Sequence, residues 1–203
     1  MWSVPRMWEG QTVAILASGP SMSQSVADKV RHLPCITVNT TYKLAPWAAV
    51  IYAHDAAWWR LHADALALPG LKVGGEPVPG VLTLKKTGVM GFDPNPSCMR
   101  VGGNSGYQAL HLAIQAGASR ILLLGYDMTG GHWHGQHPAQ LGNPAEGAYQ
   151  RWLPRFDTLI PAIEDRYVDV VNCTPGSKLT CFRMMPLESA LARVESCTAA
   201  AGG

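Results

Sequence analysis

Short apolar runs alternate along the chain with longer segments in which apolar residues recur at helical spacing. The runs contain mainly aliphatic and β-branched side chains, which is typical of strands buried inside a sheet. They lie at residues 12–17, 36–38, 49–53, 121–124 and 168–171. The sequence therefore predicts five strands, and the first three end in polar residues.

Helical spacing indicates helices between and after these strands. Gly117 follows one of them at the position where a left-handed glycine ends many helices. Pro154 and Pro161 predict a kink or a division in another. The predicted helices lie at residues 23–32, 107–116, 148–165 and 186–194, with a further helix capped by Asp55 that carries Trp58, Trp59 and Leu61.

Strands that alternate with helices over the whole length predict an α/β fold. We expect a single Rossmann-like domain over residues 1–195, with a mostly parallel sheet and helices on both faces. A segment rich in Gly, Pro and Lys at about 69–100 is interpreted as an irregular excursion with one weak strand at 81–84. Residues 126–148 are interpreted as a His-rich lid, and 196–203 as a disordered tail.

Composition narrows the class of protein. The 203 residues are 47% hydrophobic, enough to bury one full core. A formal net charge of +2 is too balanced for a protein that coats nucleic acid by charge alone. The five cysteines are odd in number and never form Cys-x-x-Cys, which disfavours a disulfide framework or a zinc ribbon. No apolar run approaches the roughly 20 residues of a membrane span, so we expect a cytoplasmic protein without a membrane partner.

The best candidate for chemistry is the segment 125–138, Gly-Tyr-Asp-Met-Thr-Gly-Gly-His-Trp-His-Gly-Gln-His-Pro. It follows a predicted buried strand, and loops at the carboxyl ends of parallel strands are where α/β proteins bind ligands. His132, His134 and His137 allow three interpretations: a general base, a zinc site or a polar lid. Their spacing does not match the helical His-x-x-x-His pair of metalloproteases, which favours the base. Asp127 could accept hydrogen bonds from sugar hydroxyls or orient a histidine.

Two glycine- and serine-containing turns precede predicted helices, at 18–21 and 102–106. Amide groups at a helix start attract phosphate, and glycine lets a ligand approach the backbone. The first turn lacks the three-glycine dinucleotide fingerprint and the lysine of a P-loop. The alternatives are a simple tight turn for the first and a helix cap from Asn104 or Ser105 for the second. Asn39, at a strand end, is a candidate contact for a ribose or base, or merely closes a turn.

Aromatic and basic residues give weaker indications. Trp58, Trp59 and Trp133 lie beside polar loops and could form a stacking platform, although ordinary core packing is favoured. The basic residues of the excursion could contact phosphates, although a solvated loop is slightly favoured. These are Lys85, Lys86 and Arg100.

The order of motifs resembles the single-domain bacterial sialyltransferases and their relatives, over roughly residues 12–190. The motifs are Ala-Ser-Gly-Pro-Ser, Val-Asn at the second strand, Asn-Ser-Gly opening a helix, and Gly-Ala-Ser-Arg-Ile-Leu-Leu-Leu-Gly-Tyr-Asp. The relatives include motility-accessory proteins that glycosylate flagellin and pterin diphosphokinase-like proteins. Small bacteriophage proteins of this group, with His-Trp-x-Gly-x-His-Pro after Gly-Tyr-Asp, are especially similar.

This resemblance implies a metal-independent, inverting glycosyltransferase that uses a nucleotide-sugar donor and a hydroxyl acceptor, with no other cofactor. His137 would be the base, with His132 the second choice. The family has Asn where this chain has Ser18, which argues against a cytidine-monophosphate sialic acid donor. By position the donor would be held by Ser18, Gly19, Ser21, Asn39, Asn104, Ser105 and Gly106.

A phage setting would make a hydroxymethylated base in DNA an attractive acceptor, presented to the site in flipped form. Two rival hypotheses stay open. One is a magnesium-dependent phosphoryl or diphosphoryl transferase of the pterin diphosphokinase type. The other is a nucleotide-binding module without catalytic activity. The sequence does not predict the oligomeric state.

Overall fold

Parallel strands form the centre of the computed structural model, which describes residues 2–192. Eight of them make one sheet in the order β10-β9-β8-β1-β2-β3-β4-β5, and every pairing is parallel. β6 and β7 pair separately. The strands are β1 (Thr12–Leu16), β2 (Cys35–Val38), β3 (Val50–Tyr52), β4 (Leu71–Gly74), β5 (Leu82–Thr83), β6 (Lys85–Gly88), β7 (Cys98–Arg100), β8 (Arg120–Leu124), β9 (Asp169–Asn172) and β10 (Arg183–Met184).

The helices connect these strands and cover the sheet. Residues 187–192 are also helical, and single 3-10 turns occupy Asn39–Lys43 and Ala63–Ala67. The predicted long helix near the carboxyl end is divided, as its prolines indicated. The helices are α1 (Gln24–Lys29), α2 (Ala56–Leu61), α3 (Ser105–Gln115), α4 (Ala148–Asp157) and α5 (Ile160–Asp165).

Strand β1 shows why the sheet is buried on both faces. Its alternate side chains point to opposite sides, as strand geometry requires. Val13 and Ile15 join a core cluster with residues of α3, α4 and α5. Ala14 and Leu16 join a second cluster with residues of α1 and of the helix at 187–192. The predicted single α/β domain with helices on both faces is therefore confirmed.

The segment 69–100 differs from the prediction of an irregular excursion. It contains β4 and β5, which extend the main sheet, and β6 and β7, which form a small parallel pair. The side chains of Lys85, Lys86 and Thr87 in β6 are exposed. The residues of β6 do not alternate between apolar and polar, so the sequence pattern gives no indication of a strand here. Hydrogen bonding to β7, rather than burial of one face, stabilises its extended backbone.

The order of the strands creates a crevice. β1 pairs with β2 on one side and with β8 on the other, so the chain leaves β1 and β8 toward opposite halves of the sheet. Ligands of open α/β sheets bind outside the carboxyl ends of the strands at such a switch point. Within residues 2–192, no helix has the length and apolarity to cross a membrane. The predicted tail at 196–203 lies outside the described residues.

Candidate functional site

A cleft of about 600 Å³ opens at the carboxyl ends of β1, β2, β3 and β8. Both glycine-containing turns, the lid and the first turn of α3 contribute to its wall, so the sheet brings together segments that are far apart in sequence. Most of the predicted site residues line the cleft, namely Ser18, Gly19, Asn39, Asn104, Ser105, Gly106, His132 and His137. Ser21 and Asp127 are not among its lining residues.

The start of α3 is the part of the cleft best suited to an anion. Asn104 is the N-cap, and its Oδ1 accepts a hydrogen bond from the Tyr107 amide at 2.9 Å. Ser105 and Gly106 supply the next amides, which have no partner inside the helix. The buried Nδ2 of Asn104 has no hydrogen-bond partner within residues 2–192. These donors and the positive end of an eleven-residue helix favour a phosphate group here.

In the turn at 18–21, for which the sequence allows a phosphate cradle or a simple tight turn, several donors already have partners inside the protein. The Gly19 amide donates to Gly125 O at 3.0 Å, the Ser21 amide donates to Asp127 Oδ1 at 3.1 Å, and Pro20 has no amide hydrogen. The Ser18 hydroxyl donates to Val38 O at 2.9 Å. These donors are therefore used inside the protein, which favours the alternative of a tight turn, and Ser18 and Gly19 still contribute to the cleft wall.

Asp127 is buried and is not among the residues that line the cleft. It is 7% exposed, and both of its oxygens accept from Ser21, one from the amide and one, at 2.8 Å, from the hydroxyl. A Cβ added to Gly19 would lie 2.0 Å from Asp127 Oδ2, which explains the glycine. The Ser21–Asp127 pair therefore ties the end of β1 to the end of β8. Their predicted roles in donor binding and catalysis stay predictions, since neither residue lines the cleft.

Asn39 occupies the end of β2, where the predicted ribose contact was placed. Its φ is 50°, a left-handed conformation that asparagine tolerates better than most residues. The residue begins the 3-10 turn and lines the cleft. Asn39 therefore closes a turn and is also accessible to a ligand in the cleft, so both predicted roles are compatible with its position.

The three lid histidines form a compact cluster at the edge of the cleft. The ring centroids of His132 and His134 are 5.1 Å apart, those of His132 and His137 4.3 Å, and those of His134 and His137 5.0 Å. One ligating nitrogen from each ring lies within 4.8 Å of the others. The structure thus brings together all three side chains, including His134, which the sequence did not favour as the base.

Burial keeps these imidazoles neutral. It lowers the pKa of His134 to about 4, with further lowering by His132 and His137. Burial also lowers the pKa of His137, and burial together with His137 lowers the pKa of His132. Near pH 7 the cluster therefore presents unprotonated nitrogens, which are the forms that accept a proton or ligate a metal.

Trp133 fixes the lid against the sheet. Its amide donates to Ser18 O at 3.1 Å, and its Nε1 donates to Thr41 Oγ1 at 3.2 Å. The amide of His137 donates to Asn143 Oδ1 at 2.9 Å. The cluster therefore stands on a loop with defined attachments, even though residues 126–147 contain no helix or strand.

Comparison with known proteins gives no independent support for the family resemblance. The chain matches no family model, no curated protein and no solved structure. The sialyltransferase-like relationship therefore stays a prediction from its motifs, and the chemistry of the site rests on its own geometry.

The aromatic residues of the cleft are partly different from those expected. Trp58 and Trp59 are buried, and Trp58, which touches the cleft wall, stacks on His62 with ring centroids 4.5 Å apart. Core packing is therefore confirmed for this pair. Two aromatic side chains from α4, Tyr149 and Trp152, also line the cleft. They were not predicted as site residues, although their spacing of three residues on one helix face was an available indication.

The basic residues considered as phosphate contacts do not line the cleft. Lys85 and Lys86 are exposed on β6, in agreement with the interpretation of a solvated segment. Arg100 lies 3.5 Å from Asp93 and also donates to Thr87 O. The arginine that does line the cleft is Arg60 of α2.

Proposed function

We propose that the protein is a glycosyltransferase that takes a nucleotide sugar as donor and a hydroxyl group as acceptor. The observation that supports this proposal is the meeting of two chemically different groups in one cleft. The amides at the start of α3 form an anion site, and the histidine cluster faces the same space. A cavity of about 600 Å³ lies within the size range of small-molecule sites.

The α3 end of the cleft is assigned to the phosphates of the donor. When the bond between sugar and phosphate breaks, negative charge grows on the departing nucleotide. Backbone amides and a helix dipole that already point at that position stabilise the charge without rearrangement. Asn104, Ser105 and Gly106 supply those groups.

The histidine cluster is assigned to the acceptor. An unprotonated imidazole within hydrogen-bond reach of the acceptor hydroxyl can take its proton as the oxygen attacks the sugar carbon. His137 is our choice for this base and His132 the second, since both line the cleft. Attack opposite to the departing phosphate inverts the sugar configuration.

Tyr149 and Trp152 bear on the nature of the acceptor. Their rings meet edge to face at 5.1 Å on the cleft wall. Aromatic side chains stack on nucleobases, which supports a hydroxymethylated base of phage DNA as the acceptor class. The same rings would also bind the apolar face of a sugar, so a carbohydrate acceptor belongs in the same experiment.

Binding of nucleotides to the purified protein tests the proposal. Uridine, guanosine and cytidine diphosphate sugars are titrated by calorimetry, each with and without magnesium, and ATP is titrated in the same way. We expect one diphosphate sugar to bind, and to stabilise the fold in proportion to its occupancy. Sugar transfer from that donor to hydroxymethylated DNA or to oligosaccharides is then followed by mass spectrometry.

The rivals give different results. Magnesium-dependent binding and turnover of ATP, with no response to diphosphate sugars, would establish the phosphoryl transferase. Nucleotide binding by the natural protein with no transfer to any acceptor, unchanged when His132 and His137 are replaced by alanine, would support the module without catalytic activity.

A further inference from the structure

Two ring nitrogens of the histidine cluster are buried without a hydrogen-bond partner among the described residues. Nε2 of His134 and Nδ1 of His137 are buried and have no hydrogen-bond partner within residues 2–192. Buried polar atoms in folded proteins nearly always have a partner, so such atoms point to a missing one. Both atoms lie in the same group of three facing imidazoles.

We propose that His132, His134 and His137 bind one divalent transition-metal ion, and that this ion is zinc. One nitrogen from each ring is already within 4.8 Å of the other two. Small rotations of the side chains would bring all three to the Zn–N distance of about 2.0–2.1 Å. Three protein ligands with a vacant fourth position are the usual arrangement of a catalytic zinc.

The backbone of the lid explains how residues so close in sequence can share an ion. His132 and His134 flank Trp133, and their rings stack with an interplanar angle of 11° while Trp133 contacts Thr41. The Gly135 amide then donates to His132 O at 3.0 Å, closing a turn that returns His137 to the other two rings. The site is therefore formed by a loop, unlike the helical histidine pair of metalloproteases.

The donor atoms select the class of ion. All three are imidazole nitrogens, which suit zinc, copper, iron and nickel, whereas magnesium and calcium require oxygen ligands. Within residues 2–192, no carboxylate joins this group of candidate ligands. Such an ion differs in kind from the magnesium that a phosphoryl transferase would require.

An ion bound by the three histidines would lie at the edge of the cleft. His132 and His137 line the cleft, so the vacant coordination position of the ion would face the space where the acceptor is placed. An ion held by His137 occupies the lone pair that a general base would need. If the site is filled, the ion rather than His137 activates the oxygen there, and the metal independence implied by the family resemblance does not apply. The metal site itself does not depend on the transferase proposal.

The test uses the full chain without a polyhistidine tag, freed of metal by a chelator and dialysed. We expect one equivalent of Zn²⁺ to bind per chain by calorimetry. Co²⁺ should bind at the same position and give the visible absorption of a four-coordinate cobalt site. Single replacements H132A, H134A and H137A should each weaken Zn²⁺ binding at least 10-fold, and the triple replacement should abolish the stoichiometric event. H32A, at an exposed histidine outside the cluster, is the matched control and should bind like the natural protein.

Circular dichroism on every variant establishes that the fold is retained, which is expected because the lid has no regular secondary structure. The proposal is overturned if the folded natural protein binds no Zn²⁺, or if the folded triple variant binds it as well as H32A does. Since no nucleotide is present, failure here leaves the transferase proposal standing, and failure of every donor sugar leaves the metal site standing.

Discussion

Individual polar residues of this protein act mainly by joining segments that are distant in sequence. Ser21 and Asp127 are separated by 106 positions, and Tyr52 donates to Gln108 Oε1 across 56. Gln115 Nε2 lies within hydrogen-bond distance of three carbonyl oxygens in β7 and in the segment that leads into it. Such partners cannot be inferred from local patterns, because each residue alone is compatible with a turn, a surface or an active site. For the same reason, the sequence predicts a role for Asp127 beside the histidines but does not predict its hydrogen bonds to Ser21.

The positioning role of Asp127 can be tested by a double-mutant cycle. We expect S21A and D127A to couple by roughly 1–2 kcal/mol in the free energy of unfolding, because the cycle removes a charge-assisted hydrogen bond. Urea denaturation of the four proteins gives the value. Strictly additive effects would show that the two side chains do not act together, and would reopen a role for Asp127 in the cleft.

His111 is expected to make the fold sensitive to acid. It is fully buried, Asp93 N donates to its Nε2 at 2.9 Å, and burial lowers its pKa to about 4. Below the ordinary pKa of about 6.5 the unfolded chain binds a proton that the folded chain does not. The stabilising contribution is therefore complete above a pH of about 6.5 and is lost progressively as the pH falls toward about 4, by an amount on the order of 3 kcal/mol.

Urea denaturation at several pH values between about 7 and 4 measures this loss, and H111Q isolates it. Glutamine keeps an acceptor for Asp93 N but does not titrate in this range. The stability of H111Q should therefore fall less steeply than that of the natural protein. An equal slope in H111Q and the natural protein would rule the explanation out.

At the scale of elements, the sequence predicted the strands that have an apolar pattern and missed strands that form only by pairing with a neighbouring strand. β1, β2, β3, β8 and β9 are apolar runs, and their predicted bounds lie close to the observed ones. β6 and β10 expose polar or basic side chains and form because a neighbouring strand supplies hydrogen bonds. Helix α1 is shorter than expected, since its C-cap is Val30.

The start of α3 offers a test of the anion site that separates binding from folding. N104D keeps an oxygen that accepts from Tyr107 N, so the helix cap is preserved and the N-terminal charge favours the helix by about 0.3–1 kcal/mol. The added negative charge should weaken binding of nucleoside diphosphates at least 10-fold. Calorimetry measures the affinity, and denaturation verifies the stability.

N104S is the companion variant, because serine caps the helix without a charge. Its affinity for the diphosphate should stay closer to that of the natural protein than that of N104D. Equal affinity in N104D and the natural protein would place the phosphates somewhere other than the α3 terminus.

Over the whole molecule, the sheet explains both what the sequence predicted about the site and what it did not. The candidate turns and the lid are recognisable as loops after strands, and parallel strands place such loops at one edge. Their convergence on a single cleft follows from strand order, because β8 pairs with β1 although most of the other strands lie between them along the chain. Tyr149 and Trp152 were missed because their spacing shows only that they share a face of α4, and α4 reaches the cleft through tertiary packing.

The same sheet predicts that the chain unfolds as one unit. Leu123 is fully buried in β8 between β1 and β9, and it belongs to the cluster that also contains residues of α3 and α5. L123A should lower the free energy of unfolding by about 2–5 kcal/mol, from lost burial and the cavity left behind. β1 contributes residues to two of the three core clusters, and β3 connects the first of these to the third, which contains Trp58 and Trp59. The loss should therefore appear equally in tryptophan fluorescence and in far-ultraviolet circular dichroism.

L61A is the control for this experiment, since Leu61 is 43% exposed and its replacement should change stability by no more than about 0.5 kcal/mol. Different midpoints for the two probes in L123A would mean that the part of the sheet beyond β3 unfolds separately from the β8–β9 side. In that case the two walls of the cleft would belong to separate folding units. A ligand that contacts both walls binds only when both units are folded, so it should bring the fluorescence and circular dichroism midpoints closer together.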